Sequence, residues 1–162
     1  MKTRTMLAAT VVVAAISAVA GAGNASAASG AGYKDYCDDT ASAVADGYTV
    51  LFVPAGGLPF DGTDNDDVII GTGGVDDIDA KNGDDVVCAM FGNDEVNGGR
   101  GEDSIFGYMG RDDLDGEDGD DYLDGGKGDD ELHGGDDRDI LDGGEDVDTC
   151  NGGLGTDTFT SC

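Results

Sequence analysis

The chain has 162 residues, with 36 acidic side chains against 8 basic ones and a formal charge of −28. So acidic a surface repels nucleic acid and anionic membranes, which argues against both as partners. It suits hard cations, which take carboxylate and carbonyl oxygen.

The first element is a leader. Lys2 and Arg4 open it, residues 6–20 are an apolar run, and Ala25-Ser26-Ala27 supplies a small-residue cleavage signal. This pattern predicts a signal peptide over residues 1–27 and an extracellular protein. Ala18-Val19-Ala20 is a second, lower-ranked cleavage signal. The apolar run is too short for a spanning helix, so no stable membrane insertion is expected. Losing Lys2 and Arg4 takes the charge from −28 to −30.

Residues 28–60 come next, as a linker and cap segment of different composition. Residues 48–53 (YTVLFV) are rich in β-branched and aromatic side chains and predict a strand, which Pro54 ends. Its expected role is to cover the open end of the repeats that begin at residue 61. The alternative is a small recognition module presenting Tyr33, Tyr36, Tyr48 and Phe52. Four cysteines in an exported chain predict two disulfides. Three connectivities are open, and sequence position favours Cys37 with Cys88 and Cys150 with Cys162.

The repeat domain is expected over residues 61–162, and from 61 to 160 the chain repeats every nine residues. The segments begin at Asp61, Gly71, Ala80, Ala89, Gly98, Gly107, Gly116, Gly125, Gly134, Gly143 and Gly152, with Ile70 spare between the first two. The sixth place is Asp throughout: Asp66, Asp76, Asp85, Asp94, Asp103, Asp112, Asp121, Asp130, Asp139, Asp148 and Asp157. The eighth is always apolar, from Val68 to Phe159. Gly at places two and four permits positive φ, and Asp64, Asp137 and Asp146, which stand at place four, tolerate it. GGRGEDSIF (98–106) and GGKGDDELH (125–133) show the full pattern.

This pattern, G-G-x-G-x-D-x-U-x, resembles the haemolysin-type calcium-binding nonapeptide of the RTX family. The resemblance implies an all-β fold, a right-handed parallel β-roll of about eleven repeats, two to a coil. It also implies Ca²⁺ between adjacent coils, held by two place-six carboxylates and turn carbonyls. On one edge that pairs Asp66 with Asp85, then Asp103, Asp121, Asp139 and Asp157 in succession. On the other it pairs Asp76, Asp94, Asp112, Asp130 and Asp148. Five sites plus four give nine at most. Unfilled, two such carboxylates about 5 Å apart repel by about 3 kcal/mol at an effective dielectric near 20. With its N-terminal leader, the chain is similar to a small, exported, stand-alone member.

Other chemistries fit less well. An EF-hand loop needs flanking helices, which Gly-dense flanks do not form. Zinc lacks a CxxC and a second histidine beside His133. Neither HExxH nor G-x-S-x-G occurs, so no enzyme activity is expected. The acidic pairs Asp84-Asp85 and Asp129-Asp130 read as turns and ligands rather than glycosidase carboxylates. The expected function is a secreted calcium-binding protein. The second reading is a calcium-dependent extracellular interaction or adhesion module, with an unidentified protein or glycan partner and exposed Tyr108, Phe106, Tyr122 and Ile140. The third is an accessory domain of an enzyme.

Overall fold

The computed structural model describes residues 37, 43–44 and 46–162. The expected leader, Tyr33 and Tyr36 lie outside the described residues. From Thr49 onward the chain winds as a parallel β-solenoid of about six coils. One sheet has seven strands: β1 (Thr49–Phe52), β3 (Asp67–Ile70), β5 (Val86–Cys88), β7 (Ser104–Met109), β9 (Tyr122–Lys127), β11 (Ile140–Glu145) and β13 (Thr158–Thr160). The other has six: β2 (Phe60–Asp61), β4 (Asp77–Asp79), β6 (Glu95–Arg100), β8 (Asp113–Asp118), β10 (Glu131–Asp136) and β12 (Thr149–Leu154). Pairing is parallel, with each residue opposite the one eighteen further on, as in Glu95 with Asp113 and Ile105 with Leu123. Among the described residues no helix is long and apolar enough to cross a membrane.

The repeat dictates this winding. Side chains alternate along a strand, so one apolar place in nine faces inward. The two sheets enclose a narrow core from Ile69 and Ile78 through Val87, Val96, Ile105, Leu114, Leu123 and Leu132 to Leu141, all fully or almost fully buried. From β6 to β12 the strands run six residues, through the eighth place and on into the next repeat. The repeat alone predicts a strand of three residues, at places seven to nine, around the apolar eighth. The strands run on because the third-place amide also bonds along the stack, as in Arg100 N–H to the Lys81 carbonyl and Met109 N–H to that of Met90.

The first repeat departs from the sequence reading by one residue. Asp67, not Asp66, pairs one coil back with Thr49, and Ile69 lies opposite Val87. The repeat therefore starts at Gly62, and Ile70 is its ninth residue rather than a spare one. Asp67, which the sequence numbering puts at the seventh place, beside the inward eighth and so facing outward, is fully buried, and Asp66 is exposed.

The expected strand over 48–53 forms as β1 and lies at the edge of the seven-stranded sheet, in register with β3. Leu51 and Val53 cover the end of the inner core. A second apolar cluster lies on the outer face of that sheet, where Cys37, Ala43 and Val50 pack with Val68, Val86, Cys88 and Phe106. Phe106, expected to be exposed, is 1% exposed for this reason. Tyr108 and Tyr122 pack partly buried against the same cluster, with the Tyr122 ring 5.8 Å from that of Phe106. Cys37 is bonded to Cys88 and Cys150 to Cys162, with Cα atoms 6.0 and 5.8 Å apart.

Candidate metal centres

Each turn between strands carries one place-six aspartate, and the turn geometry decides what that carboxylate meets. From Ala80 onward the second residue of every turn is left-handed: Lys81, Met90, Gly99, Tyr108, Glu117, Gly126, Gly135, Gly144 and Gly153 all have positive φ. So does the fourth, Asp137 and Asp146 included. Lys81 and Met90 stand where the repeat pattern has glycine, and they hold this conformation although it costs about 1–2 kcal/mol for a residue with a β-carbon. The ladder bonds to their carbonyls over-determine them.

These turns stack the aspartates in two files along the edges of the roll. In each file the Oδ1 of one aspartate accepts the N–H of the aspartate one coil earlier. The bonds run from Asp85 N–H to Asp103 (2.8 Å), from Asp103 to Asp121 (2.8 Å), from Asp121 to Asp139 (3.0 Å) and from Asp139 to Asp157 (3.2 Å). On the other edge they run from Asp76 to Asp94 (2.8 Å), then to Asp112 (2.9 Å), Asp130 (2.8 Å) and Asp148 (2.9 Å). The structure thus brings ten of the eleven sequence-predicted residues into these files. It leaves out Asp66, whose Oδ1 instead accepts the Asp84 N–H on the exposed flank. Asp67 takes its place, donating its N–H to Asp85 Oδ1 at 2.8 Å. A signal for this exists in the sequence: Gly62-Thr63 lies nine residues before Gly71-Thr72.

The second carboxylate oxygen is the chemically informative one. Oδ2 of Asp85, Asp94, Asp103, Asp112, Asp121, Asp130, Asp139 and Asp148 is buried without a hydrogen-bond partner. From Asp103 to Asp148 it lies against the first-place glycine of its own turn: a methyl added to Gly98 would stand 2.6 Å from Asp103 Oδ2. Fourth-place carbonyls point along the stack, so that a methyl on Gly110 would overlap the Gly92 oxygen. Among the described residues no three acidic, histidine or cysteine side chains converge on one point. A cation here would draw its remaining ligands from these turn carbonyls.

Burial pushes the Asp85 and Asp121 carboxyls up to about 8, Asp103 to about 7, and Asp94, Asp112 and Asp139 to about 6. Asp130 is raised for the same reason. The backbone N–H bonds pull these groups down without offsetting the loss of water. Burial thus makes these carboxylates costly to leave charged without a cation. Hard oxygen donors, anionic and carbonyl, with no nitrogen or sulfur, fit calcium.

The family model for the RTX calcium-binding nonapeptide repeat (4 copies) matches residues 60–87, 89–123 and 124–159, well over half of the chain. No curated protein and no solved structure matches it. The periodic aspartates, the stacked turns and this match agree, and the chain belongs to the RTX calcium-binding nonapeptide-repeat family.

Proposed function

We propose that the chain is a secreted, non-catalytic calcium-binding protein whose roll takes Ca²⁺ between adjacent coils. Each ion would be held by place-six carboxylates of two stacked turns and by turn carbonyls. The observation that carries this reading is the row of buried, unpartnered Oδ2 atoms in eight consecutive repeats. A buried polar atom left without a partner costs about 1–3 kcal/mol, and more when charged. Calcium would supply the missing partner and replace carboxylate repulsion with attraction. The family membership supports the choice of ion. The leader pattern over residues 1–27 and the two disulfides support secretion.

Binding and folding would then be linked, because binding energy that only the roll can collect becomes folding energy. Magnesium would substitute poorly, since it demands octahedral geometry and sheds water reluctantly. The test is a calorimetric titration of the purified protein with calcium and with magnesium, followed in parallel by circular dichroism. Calcium is expected to give heat and a cooperative gain of β-structure, magnesium little of either. A β-signal of full strength in excess chelator, with no heat on adding calcium, would defeat the reading.

A further inference from the structure

The first two repeats, Gly62 to Ile70 and Gly71 to Asp79, turn differently from the rest. No residue from 62 to 79 has a positive φ, although from Lys81 onward each turn has two. Threonine stands at place two in both. The Thr63 N–H donates to Asp67 Oδ2 at 2.7 Å, and its hydroxyl donates to Asp67 Oδ1 at 3.1 Å. Thr72 does the same to Asp76, at 2.6 and 3.0 Å. Each threonine hydroxyl also accepts the N–H two residues on, from Asn65 and Gly74 at 3.2 Å, which fixes the turn locally. Neither Asp67 nor Asp76 has an orphaned oxygen, and both are buried. The Oδ2 left without a partner in the later turns is satisfied here by the threonine's own backbone N–H, in a turn that the hydroxyl holds.

We propose that this first coil is a metal-independent template in which Thr63 and Thr72 stand in for calcium, leaving seven complete calcium sites rather than nine. The proposal rests on the calcium reading of the later turns. A complete site needs two stacked turns of the left-handed type. One edge offers four such pairs, Asp85 with Asp103, then Asp121, Asp139 and Asp157 in succession. The other offers three, Asp94 with Asp112, then Asp130 and Asp148. The places that would join Asp67 to Asp85 and Asp76 to Asp94 are closed on the earlier side by threonine. The outer face of its strand β3 is covered by the cluster of Cys37, Val50 and Val68, and the Cys37–Cys88 bond ties that cover to β5 of the next coil. The first coil needs no ion to satisfy its polar groups, and its far edge presents ready-made strands on which the next coil can pair. In a stacked fold, a coil that stands without ligand lowers the cost of ordering its neighbour.

The test is hydrogen exchange of the protein in chelator and in saturating calcium, together with the bound-ion count by native mass spectrometry. Peptides within 62–79 are expected to exchange more than about tenfold slower than those within 98–160 in chelator, and all are expected to be protected in calcium. The expected count is seven. Equal exchange of the two regions in chelator, or nine ions, would overturn the proposal. If calcium protects nothing and no ion is retained, the calcium reading itself falls and the proposal with it. Thr63→Gly combined with Thr72→Gly should abolish the protection of 62–79 in chelator and raise the count above seven. Thr63→Ser with Thr72→Ser keeps the hydroxyls and should behave as the parent. A serine variant as unprotected as the glycine variant would overturn the role given to the hydroxyls.

Discussion

The coil from 62 to 79 and the coils from 80 to 160 share one repeat and one backbone path, yet they satisfy the same buried carboxylate in different ways. In the first coil a threonine supplies two hydrogen bonds to each place-six aspartate. In the later coils one oxygen takes a backbone N–H and the other takes nothing. The surroundings differ too. In the seven-stranded sheet the early strands β3 and β5 are apolar on both faces, with Val68 and Val86 buried outside and Ile69 and Val87 inside. The late strands expose Asp113 and Ile140 and leave Thr158 and Phe159 open. A solenoid of this kind has two routes to stability, ordinary packing and ion coordination, and here they are separated along one axis.

The largest expected effect breaks the later region alone. Asp121→Ala removes a carboxylate shared by two central sites, whereas Asp157→Ala removes one from a single terminal site. Asp121→Ala should weaken calcium-driven folding by more than the roughly 10–100-fold that loss of an outer-shell partner costs a metal site. Asp157→Ala should cost visibly less. Calcium titrations followed by circular dichroism compare them, and equal midpoints would show that the stacked files do not share ions.

Much of this is legible from spacing alone. Asp at place six and an apolar residue at place eight fix which side chain enters the turn and which enters the core, and the observed files follow them from Asp76 to Asp157. The first repeat misleads because two neighbouring residues satisfy each place: Asp66 and Asp67 for the sixth, Val68 and Ile69 for the eighth. Periodicity cannot choose between adjacent equivalents; only the Gly-Thr pair can. The threonine caps stay hidden as long as place two is read only for glycine. The outer cluster escapes for another reason. Alternation tells which face a residue takes but not what covers that face, so Phe106 reads as exposed.

Acid should act on the later coils in the opposite sense to calcium removal. The carboxyls of Asp85 and Asp121 are raised to about 8, that of Asp103 to about 7 and those of Asp94, Asp112 and Asp139 to about 6, all by burial. A carboxyl whose folded value lies above its unfolded value of about 4 stabilises the fold when protonated. That contribution is complete below about pH 4 and is lost as pH rises through 6 to 8. In chelator, the later coils should therefore gain β-structure as pH falls from 8 to 5. Calcium affinity should fall over the same range, because the ion must displace these protons. A chelated protein whose dichroism does not change between pH 8 and 5 would contradict the burial of these groups.

The two disulfides sharpen the comparison at intermediate size. The Cys37–Cys88 bond closes a separation of 51 residues and the Cys150–Cys162 bond one of 12. Chain-entropy estimates put their contributions at about 4 and about 3 kcal/mol. Their reach differs more than their size. Cys37→Ser with Cys88→Ser should lower the melting temperature of the structure that persists in chelator. Cys150→Ser with Cys162→Ser should leave that structure untouched and lower only the calcium-bound melt. If both pairs lower the chelator-resistant signal equally, the first coil is not an independent unit.

The smallest effect tests the single residue on which sequence and structure disagree. Asp66 lies on the exposed flank, where its one backbone bond competes with water. Asp66→Ala should cost no more than about 0.5–1 kcal/mol, whether measured in calcium or in chelator. Asp67 is fully buried between its own threonine and the next coil. Asp67→Ala strands the half-buried Thr63 donors and should cost about 1–3 kcal/mol. Because threonine rather than an ion completes this turn, the loss should appear in chelator as fully as in calcium, with the number of bound ions unchanged. Urea midpoints of the two variants, read in both conditions, decide it. If Asp66→Ala were the more damaging substitution, or if Asp67→Ala removed an ion, the first repeat would start at Asp61 after all and its turn would be a calcium turn like the others.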